Sequence, residues 1–280
     1  DLRIRADVDL GPGVFDRYRF QRASGSLAAR ADSLVVGEGF ILETNGTRFE
    51  GDGAIAFSDS LDLYANVFCP DLSVWDPFVF VDSFSGEASG YIYLTGRTKD
   101  PDVEGAIQAN PFRVFNLSTD DFGGRFTLSR FLTHPSGPVL ARWGRSTAWG
   151  VATDSIALQG DVDGRSARAV RAGWYNPSVN VEGAGLVDWS QDQIPLTLFP
   201  LNVRWDEQTY AAQDTVRLVI DSSGFDFSSL AVTGPWGSLD ARGRFDFDTE
   251  MDLEFDVEKF RVEVLWSRFF PRIDLRGMAR

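Results

Sequence analysis

The chain of 280 residues contains a single cysteine, Cys69, and a single histidine, His134. One cysteine excludes a disulfide framework and any zinc site built from cysteines. One histidine excludes histidine-rich metal sites, and no motif places a nucleophile and an orienting carboxylate beside His134 for triad chemistry. The sequence therefore predicts a protein that is not an enzyme and holds neither a metal nor a cofactor. We expect His134 in a surface loop and Cys69 as a small buried residue.

Positive charge and long hydrophobic runs are also scarce. The chain carries 27 Lys+Arg against 41 Asp+Glu, a formal net charge of −14, and only Lys99 and Lys259 are lysines. Because phosphate contacts need clustered cations, this balance argues against a nucleic-acid partner. No run of about 18 apolar residues is present that could cross a membrane as a helix. The 43% of apolar residues, with 23 Phe, nevertheless provides for a sizeable core.

The dominant pattern of the sequence is alternation between apolar and polar residues. This period of two residues is the one expected of β-strands. In segment 245–258 apolar residues alternate with acidic ones, and the same pattern opens the chain between Leu2 and Leu10. Glycine-rich segments such as Asn45-Gly46 and Gly51-Asp52-Gly53 indicate turns between strands. The best helix candidate is the short segment 71–81, which Asp71 could cap. The sequence predicts an all-β chain of many short strands.

Three themes recur along the chain and predict a repetitive sheet. An Asp-Ser/Thr-apolar motif begins at Asp32, Asp154 and Asp214. A longer match relates segments 47–63 and 237–253, which align without a gap, and a third theme pairs 101–106 with 177–184. Weak β repeats of long period are typical of an elongated stack of strands.

This pattern sets the expected domain organisation. We expect one continuous β-repeat region over residues 1–280, with approximate units 1–110, 111–200 and 201–280. Segment 269–277 resembles the start of a further unit, which predicts that the chain is a fragment of a longer protein.

A family resemblance rests on residues 94–107, Leu-Thr-Gly-Arg-Thr-Lys-Asp-Pro-Asp-Val-Glu-Gly-Ala-Ile. This segment resembles a phrase of the TamB and AsmA-like proteins, in which a strand ends in Gly, a Pro with a polar neighbour follows, and another Gly opens the next strand. The Gly-x-x-x-Gly lead-in at 86–90 and the short helix candidate before it are similar to the same family. The Asp-Ser motifs at Asp32 and Asp154 are also similar to motifs of this family. The resemblance covers most of the chain, although each motif is short.

The resemblance implies a long β-sheet curled into a taco-like hydrophobic groove, as in bridge-like lipid-transfer proteins. It implies phospholipids as the cargo, carried between the inner and outer membranes through the periplasm of a diderm bacterium. It also implies a link to outer-membrane protein assembly with a BamA-type barrel protein. Contacts with either membrane would then be made by segments that this stretch does not contain.

The residues expected to line such a groove are the apolar members of the alternating segments. They are Phe245, Phe247, Met251, Leu253, Phe255 and Val257, together with Ile55, Phe57, Leu61 and Leu63 through the match of segments 47–63 and 237–253. We interpret the seven acidic residues between Asp246 and Glu258 as a solvated outer face, because a glycosidase needs two carboxyl groups in different environments. The same face discourages edge-to-edge aggregation of sheets.

Two other functions stay open on the sequence. The first is a structural or adhesive β-solenoid or β-sandwich on the cell surface, with a core filled by its own side chains. The second is a β-rich hydrolase or sugar-binding module, which the missing active-site motif disfavours.

Overall fold

The computed structural model of the chain describes residues 4–15, 18–74, 85–114, 117–148, 151–177, 179–190, 193–205, 207–221, 224–235, 237–246 and 251–258. The chain forms two compact units. Unit 1 comprises residues 1–146 and 161–164, and unit 2 comprises residues 147–160 and 165–280. The three approximate repeat units expected from the sequence stay a prediction.

The described residues contain 23 strands. The first twelve are β1 (Ile4–Leu10), β2 (Gly13–Phe15), β3 (Tyr18–Phe20), β4 (Arg22–Ala29), β5 (Ser33–Thr44), β6 (Thr47–Ala56), β7 (Ser60–Cys69), β8 (Ser85–Arg97), β9 (Asp100–Val114), β10 (Leu117–Thr119), β11 (Phe122–Leu128) and β12 (Ser136–Trp143). The others are β13 (Ser146–Ala148), β14 (Val151–Thr153), β15 (Ser155–Asp163), β16 (Ser166–Tyr175), β17 (Val179–Asp188), β18 (Ile194–Trp205), β19 (Gln208–Ala212), β20 (Val216–Ile220), β21 (Gly224–Gly234), β22 (Gly237–Asp246) and β23 (Met251–Glu258).

The all-β prediction is confirmed, since 21 of these strands belong to one large sheet of antiparallel pairs, and β2 and β3 form a separate hairpin. Within the ranges given above there is no α-helix, and no helix is long and apolar enough to cross a membrane. Residues 72–74 form one turn of 3₁₀ helix, and the Asp71 carboxylate accepts a hydrogen bond from the Ser73 N–H at 3.0 Å. Asp71 therefore caps this turn as predicted, and the rest of the predicted helix lies outside the described residues.

Unit 1 is an antiparallel meander. Its strands pair in the order β1, β4, β5, β6, β7, β8, β9, β11 and β12, and β10 adds to the end of β9. Each strand pairs with the next described strand of the meander, so hairpin loops alternate between the two ends of the strands. The Asn45-Gly46 turn joining β5 to β6 has φ of 46° and 72° at its two residues, the left-handed geometry of a tight hairpin.

Unit 2 repeats this arrangement with one interruption. Its strands pair in the order β16, β17, β18, β20, β21, β22 and β23. The short β19 pairs with β18 and β21 beside β20, so β19 and β20 together occupy one strand position in the sheet.

Glycines in strand interiors permit close approach of neighbouring strands. Gly53 has φ of 142°, and a Cβ at this residue would overlap the carbonyl oxygen of Asp62. The expectation that Gly51-Asp52-Gly53 forms a turn is therefore wrong, because these residues lie inside β6. Register shifts in several strand pairs, such as that between Val36 and Phe40, add bulges that bend strands.

The hairpins formed by the matched segments 47–63 and 237–253 share one register. Gly53 pairs with Leu63 in the first hairpin, and Gly243 pairs with Leu253 in the second. Both glycines have nearly the same backbone angle, with φ of 142° and 138°. The sequence match thus corresponds to two hairpins with equivalent pairing.

Candidate apolar binding surface

Cross-strand pairing in unit 1 brings apolar residues from six strands into one row. Paired residues of an antiparallel sheet lie on the same face, so the register defines the row without reference to the side chains. The row runs Val36, Gly53, Leu63, Leu94, Val103 and Leu128. A second row lies on one side of it and contains Leu34, Ile55 and Leu61. A third row lies on its other side and contains Ala65, Ile92, Gly105, Phe126 and Val139. We call these three rows the apolar face of unit 1.

Most side chains of the apolar face are half-buried. Along β7, Leu61 and Leu63 are half-buried while the alternate residues Asp62 and Tyr64 are exposed. Val103 is the exception among these side chains, since it is buried in the middle of the face. Because apolar side chains in a closed β-sandwich core are largely removed from water, this pattern indicates a face that is only partly covered.

The opposite face of the same strands is polar and aromatic. A cross-strand row there runs Asp52, Tyr64, Tyr93 and Glu104, and all four residues are exposed. The Tyr93 hydroxyl donates a hydrogen bond of 2.6 Å to the Asp62 carboxylate, which raises the pKa of Tyr93 above its ordinary value. The two faces of the unit 1 sheet therefore differ in polarity as the alternation predicts.

One edge of the apolar side is closed by a buried cluster, here called the corner cluster. It consists of Cys69, Leu72, Ala88, Ala109 and Phe112, with Phe122 and Trp143 among the partly buried residues packed against it. The Phe112 and Phe122 rings stack with centroids 4.4 Å apart. Leu72 comes from the 3₁₀ turn, so a segment outside the strand ladder covers this edge. Cys69 is buried here, as expected from the sequence.

Unit 2 has an equivalent row. It runs Val187, Leu196, Leu218, Phe227, Gly243 and Leu253, crossing six strands. A buried cluster of Val179, Trp205, Tyr210 and Val232 also forms in this unit. Sequence reasoning selected Leu253 for the groove but missed the other members of the row, because their proximity depends on strand register rather than on local alternation.

Three of the four groove residues predicted in unit 1 lie in strands of the apolar face, and the fourth lies in a turn. Ile55, Leu61 and Leu63 lie on the apolar face, with Ile55 opposite Leu61. Phe57 follows Ala56, the last residue of β6, and lies in the turn between β6 and β7, where 65% of its surface is exposed.

The predicted residues of unit 2 lie mostly on two strands. Phe245 is part of β22, while Met251, Leu253, Phe255 and Val257 occupy alternate positions of β23. Phe247 lies outside the described residues.

The acidic row of β23 is exposed, as expected, and part of it pairs with arginine. Asp252, Glu254, Asp256 and Glu258 are all exposed. Arg242 on β22 donates two hydrogen bonds of 2.8 and 2.9 Å to Glu254, which lower the pKa of this carboxyl below its ordinary value. In the part of the chain that the structure describes, no group of three or more acidic, histidine or cysteine side chains could hold a metal ion.

His134 lies in an exposed loop, as expected, and contacts one carboxylate. Its Nε2 atom lies 2.7 Å from Asp163 Oδ1, and about half of the His134 side chain is exposed. This contact joins the loop before β12 to the end of β15.

Comparison of the chain with protein-family models, curated proteins and solved structures finds no match.

Proposed function

We propose that this chain is a segment of a hydrophobic trough that shields phospholipid acyl chains during transport between two membranes of a bacterial envelope. The observation that carries the proposal is the apolar face of unit 1, an uninterrupted set of rows whose side chains are mostly half-buried. The resemblance of residues 94–107 to the TamB and AsmA-like proteins points to the same cargo.

The dimensions of the face suit an acyl chain. Six paired strands at about 4.8 Å spacing give the central row a length of roughly 24 Å. One leaflet of a bilayer has a hydrocarbon thickness of about 15 Å, half of the whole core, so one acyl chain fits along the row. The transfer of an acyl chain of about 16 carbons from water to this face would be favourable by on the order of 10 kcal/mol, at about 0.8 kcal/mol per CH₂.

The chemistry of the face also suits a cargo that moves. Its residues are aliphatic side chains, glycine and one phenylalanine, with no ionisable group among them. Such a surface holds an acyl chain through its area rather than through a directional contact, so a lipid can slide along the row.

Co-purification of lipid tests this function. The intact chain is purified without detergent, and extracted phospholipid per protein is measured by mass spectrometry. The double variant Leu63→Asp/Leu94→Asp places two charges on the apolar face, and we expect it to lose most of the lipid, because a charge in hydrocarbon is costly.

The matched control is Tyr64→Asp/Tyr93→Asp, which adds the same charges to the neighbouring residues on the opposite face. We expect this control to retain the lipid of the wild-type chain. Wild-type protein without lipid, or equal lipid in both double variants, would instead favour the alternative of a structural β-solenoid with a self-filled core.

A further inference from the structure

Strand β1 pairs along one of its two edges. It pairs with β4 from Ile4 to Leu10 in an antiparallel register without a shift, and no other strand of the described residues pairs with it. The second edge therefore presents a row of backbone N–H and C=O groups to which a further strand can bind. Ile4 and Leu10 are 55% and 50% exposed, so an added strand would also cover apolar surface.

The apolar face of unit 1 continues onto this edge strand. Val36 of the central row pairs with Leu27 on β4, and Leu27 pairs with Ala6 on β1. The central row therefore ends at Ala6. Ile4 and Val8 lie on the same face, one on each side of Ala6, because strand residues two apart share a face. A strand bound to β1 with an apolar residue opposite Ala6 would extend the apolar face beyond the chain.

The charged residues of β1 form a pattern that is complementary to itself. Segment 2–10 reads Leu-Arg-Ile-Arg-Ala-Asp-Val-Asp-Leu, so arginines precede Ala6 and aspartates follow it at the same separations. Two copies of β1 that run antiparallel with Ala6 opposite Ala6 place Arg5 of each copy opposite Asp7 of the other. Ile4 of each copy then lies opposite Val8 of the other. Opposite charges directly across an antiparallel pair stabilise it, and like charges destabilise it.

The neighbouring registers of two β1 strands match less well. A shift by one residue places apolar residues of one copy on the polar face of the other. A shift by two residues keeps the faces but sets either Arg5 opposite Arg5 or Asp7 opposite Asp7. The register about Ala6 is therefore specified by charge as well as by the apolar face.

Arg5 and Asp7 are open to a second copy of the chain. Both side chains are exposed, and on β4 they lie opposite the uncharged residues Ala28 and Ser26. Among the described residues, the ion pairs do not include either of them. Asp9 lies 3.5 Å from Arg22, and both of these side chains are more than half exposed. The two charges nearest to Ala6 are thus the ones that a second copy can match.

Strand β23 has the opposite property. Its four acidic residues between Asp252 and Glu258 are all exposed. Two copies of β23 would set carboxylates opposite carboxylates in every register that keeps the apolar residues on one face. Pairing of β1 with β23 would likewise place Asp7 and Asp9 near this acidic row. Uniform charge of this kind protects a strand edge from pairing, and β1 lacks that protection.

We propose that two copies of the chain associate through β1, which pairs with itself antiparallel about Ala6. A two-fold axis then passes between the two Ala6 residues, perpendicular to the sheet, so both apolar faces lie on the same side and the two central rows meet. Such an interface uses the same edge of both copies and therefore closes as a dimer. Because one strand pair is a small interface, we expect the dimer to dissociate on dilution.

This pairing goes beyond the trough function and does not depend on it. The trough variant Leu63→Asp/Leu94→Asp leaves β1 unchanged, so we expect it to dimerise like the wild type. Loss of lipid and loss of the dimer are therefore separate outcomes.

Charge reversal tests the pairing. The mass of the intact chain is measured by analytical ultracentrifugation over a range of protein concentrations. We expect Arg5→Asp and Asp7→Arg each to raise the dimer Kd at least about tenfold, because each variant sets like charges across the interface twice. An equimolar mixture of the two variants should dimerise again, since every charge pair between them is then of opposite sign.

The matched control is Asp52→Arg, which reverses an exposed charge on the polar face of β6 inside the sheet. It should dimerise like the wild type. Circular dichroism confirms that each variant is folded.

Disulfide crosslinking tests the register. Paired Cα atoms of antiparallel strands lie about 4.5–5.5 Å apart, a distance that a disulfide spans. We expect Ala6→Cys to give a covalent dimer with copper–phenanthroline as the oxidant. Val8→Cys should not, because its counterpart in the second copy is Ile4. The buried Cys69 is present in both variants and in the wild type, which controls for its reactivity.

Three results would overturn the proposal. A wild-type chain that is monomeric at every concentration would indicate that a segment outside the described residues covers the edge of β1. A dimer of unchanged Kd in Arg5→Asp would show that another surface holds the copies together. Equal crosslinking of Ala6→Cys and Val8→Cys would contradict the register about Ala6.

Discussion

The corner cluster and the apolar face of unit 1 are formed by the same strands and by similar residues, yet they differ in burial. Phe112 and Leu72 in the corner are buried, while Leu63 and Leu94 on the face are only half-buried. The difference lies in what covers them, because the 3₁₀ turn at 72–74 packs over the corner. Alternation thus produces an apolar face, and closure of that face requires a segment from outside the strand ladder.

Under the proposed function, this difference separates residues that stabilise the sheet from residues that receive a ligand. A covered cluster stabilises the fold, since its side chains are removed from water in every molecule. Half-buried rows contribute less to folding and leave apolar surface that a ligand can cover. The substitutions below test this division, in order of decreasing effect on the free energy of unfolding.

The largest effect is expected in the corner cluster. Phe112→Ala removes a buried ring that stacks on Phe122, and we expect the free energy of unfolding to fall by about 3–5 kcal/mol. The matched change on the apolar face, Leu63→Ala, should cost only about 1 kcal/mol because less surface returns to water. Urea denaturation measures both values, and equal losses would show that the apolar face is covered as completely as the corner.

A smaller effect is expected where strands of the apolar face approach closely. Gly53→Ala places a methyl group against the Asp62 carbonyl at a positive φ, and we expect a loss of about 2 kcal/mol. Gly123→Ala is the control, since no atom lies within 4 Å of its added Cβ. If the two variants were equally stable in thermal denaturation, the close approach would not constrain the strands.

The smallest effect is expected on the polar face. Tyr93→Phe removes the hydrogen bond to Asp62 but keeps the ring, and we expect a loss of less than about 1 kcal/mol, because the pair is exposed. Lipid retained by the purified chain should not change. A loss as large as that of Phe112→Ala would contradict the assignment of this face to solvent.

Local alternation was sufficient to predict the all-β class, some of the strands and part of the surface. It places Leu61 and Leu63 together because strand residues two apart lie on one face. The match between segments 47–63 and 237–253 correctly related the β6–β7 and β22–β23 hairpins, whose registers agree.

The other features of the fold and of the apolar face depend on contacts between strands that are distant in sequence, which alternation does not predict. Leu94 and Val103 join Leu63 only through the pairing of separate strands, and the corner cluster combines several strands with a turn. Phe57 continues the alternation of β6 in sequence, but the strand ends one residue earlier. Gly51 and Gly53 resemble turn residues, although here the missing side chains allow strands to approach.

The most direct test of the trough is photo-crosslinking at single residues. A benzophenone side chain is placed at Leu63, Tyr64 or Phe112 of the intact chain. For the experiment, each variant is produced with export to the periplasm of a diderm bacterium, and the cells are irradiated. Phospholipid adducts are then identified by mass spectrometry. We predict adducts at Leu63 and none at Tyr64 or Phe112. Absence of adducts at Leu63, or equal adducts at Leu63 and Tyr64, would contradict an apolar face that receives acyl chains.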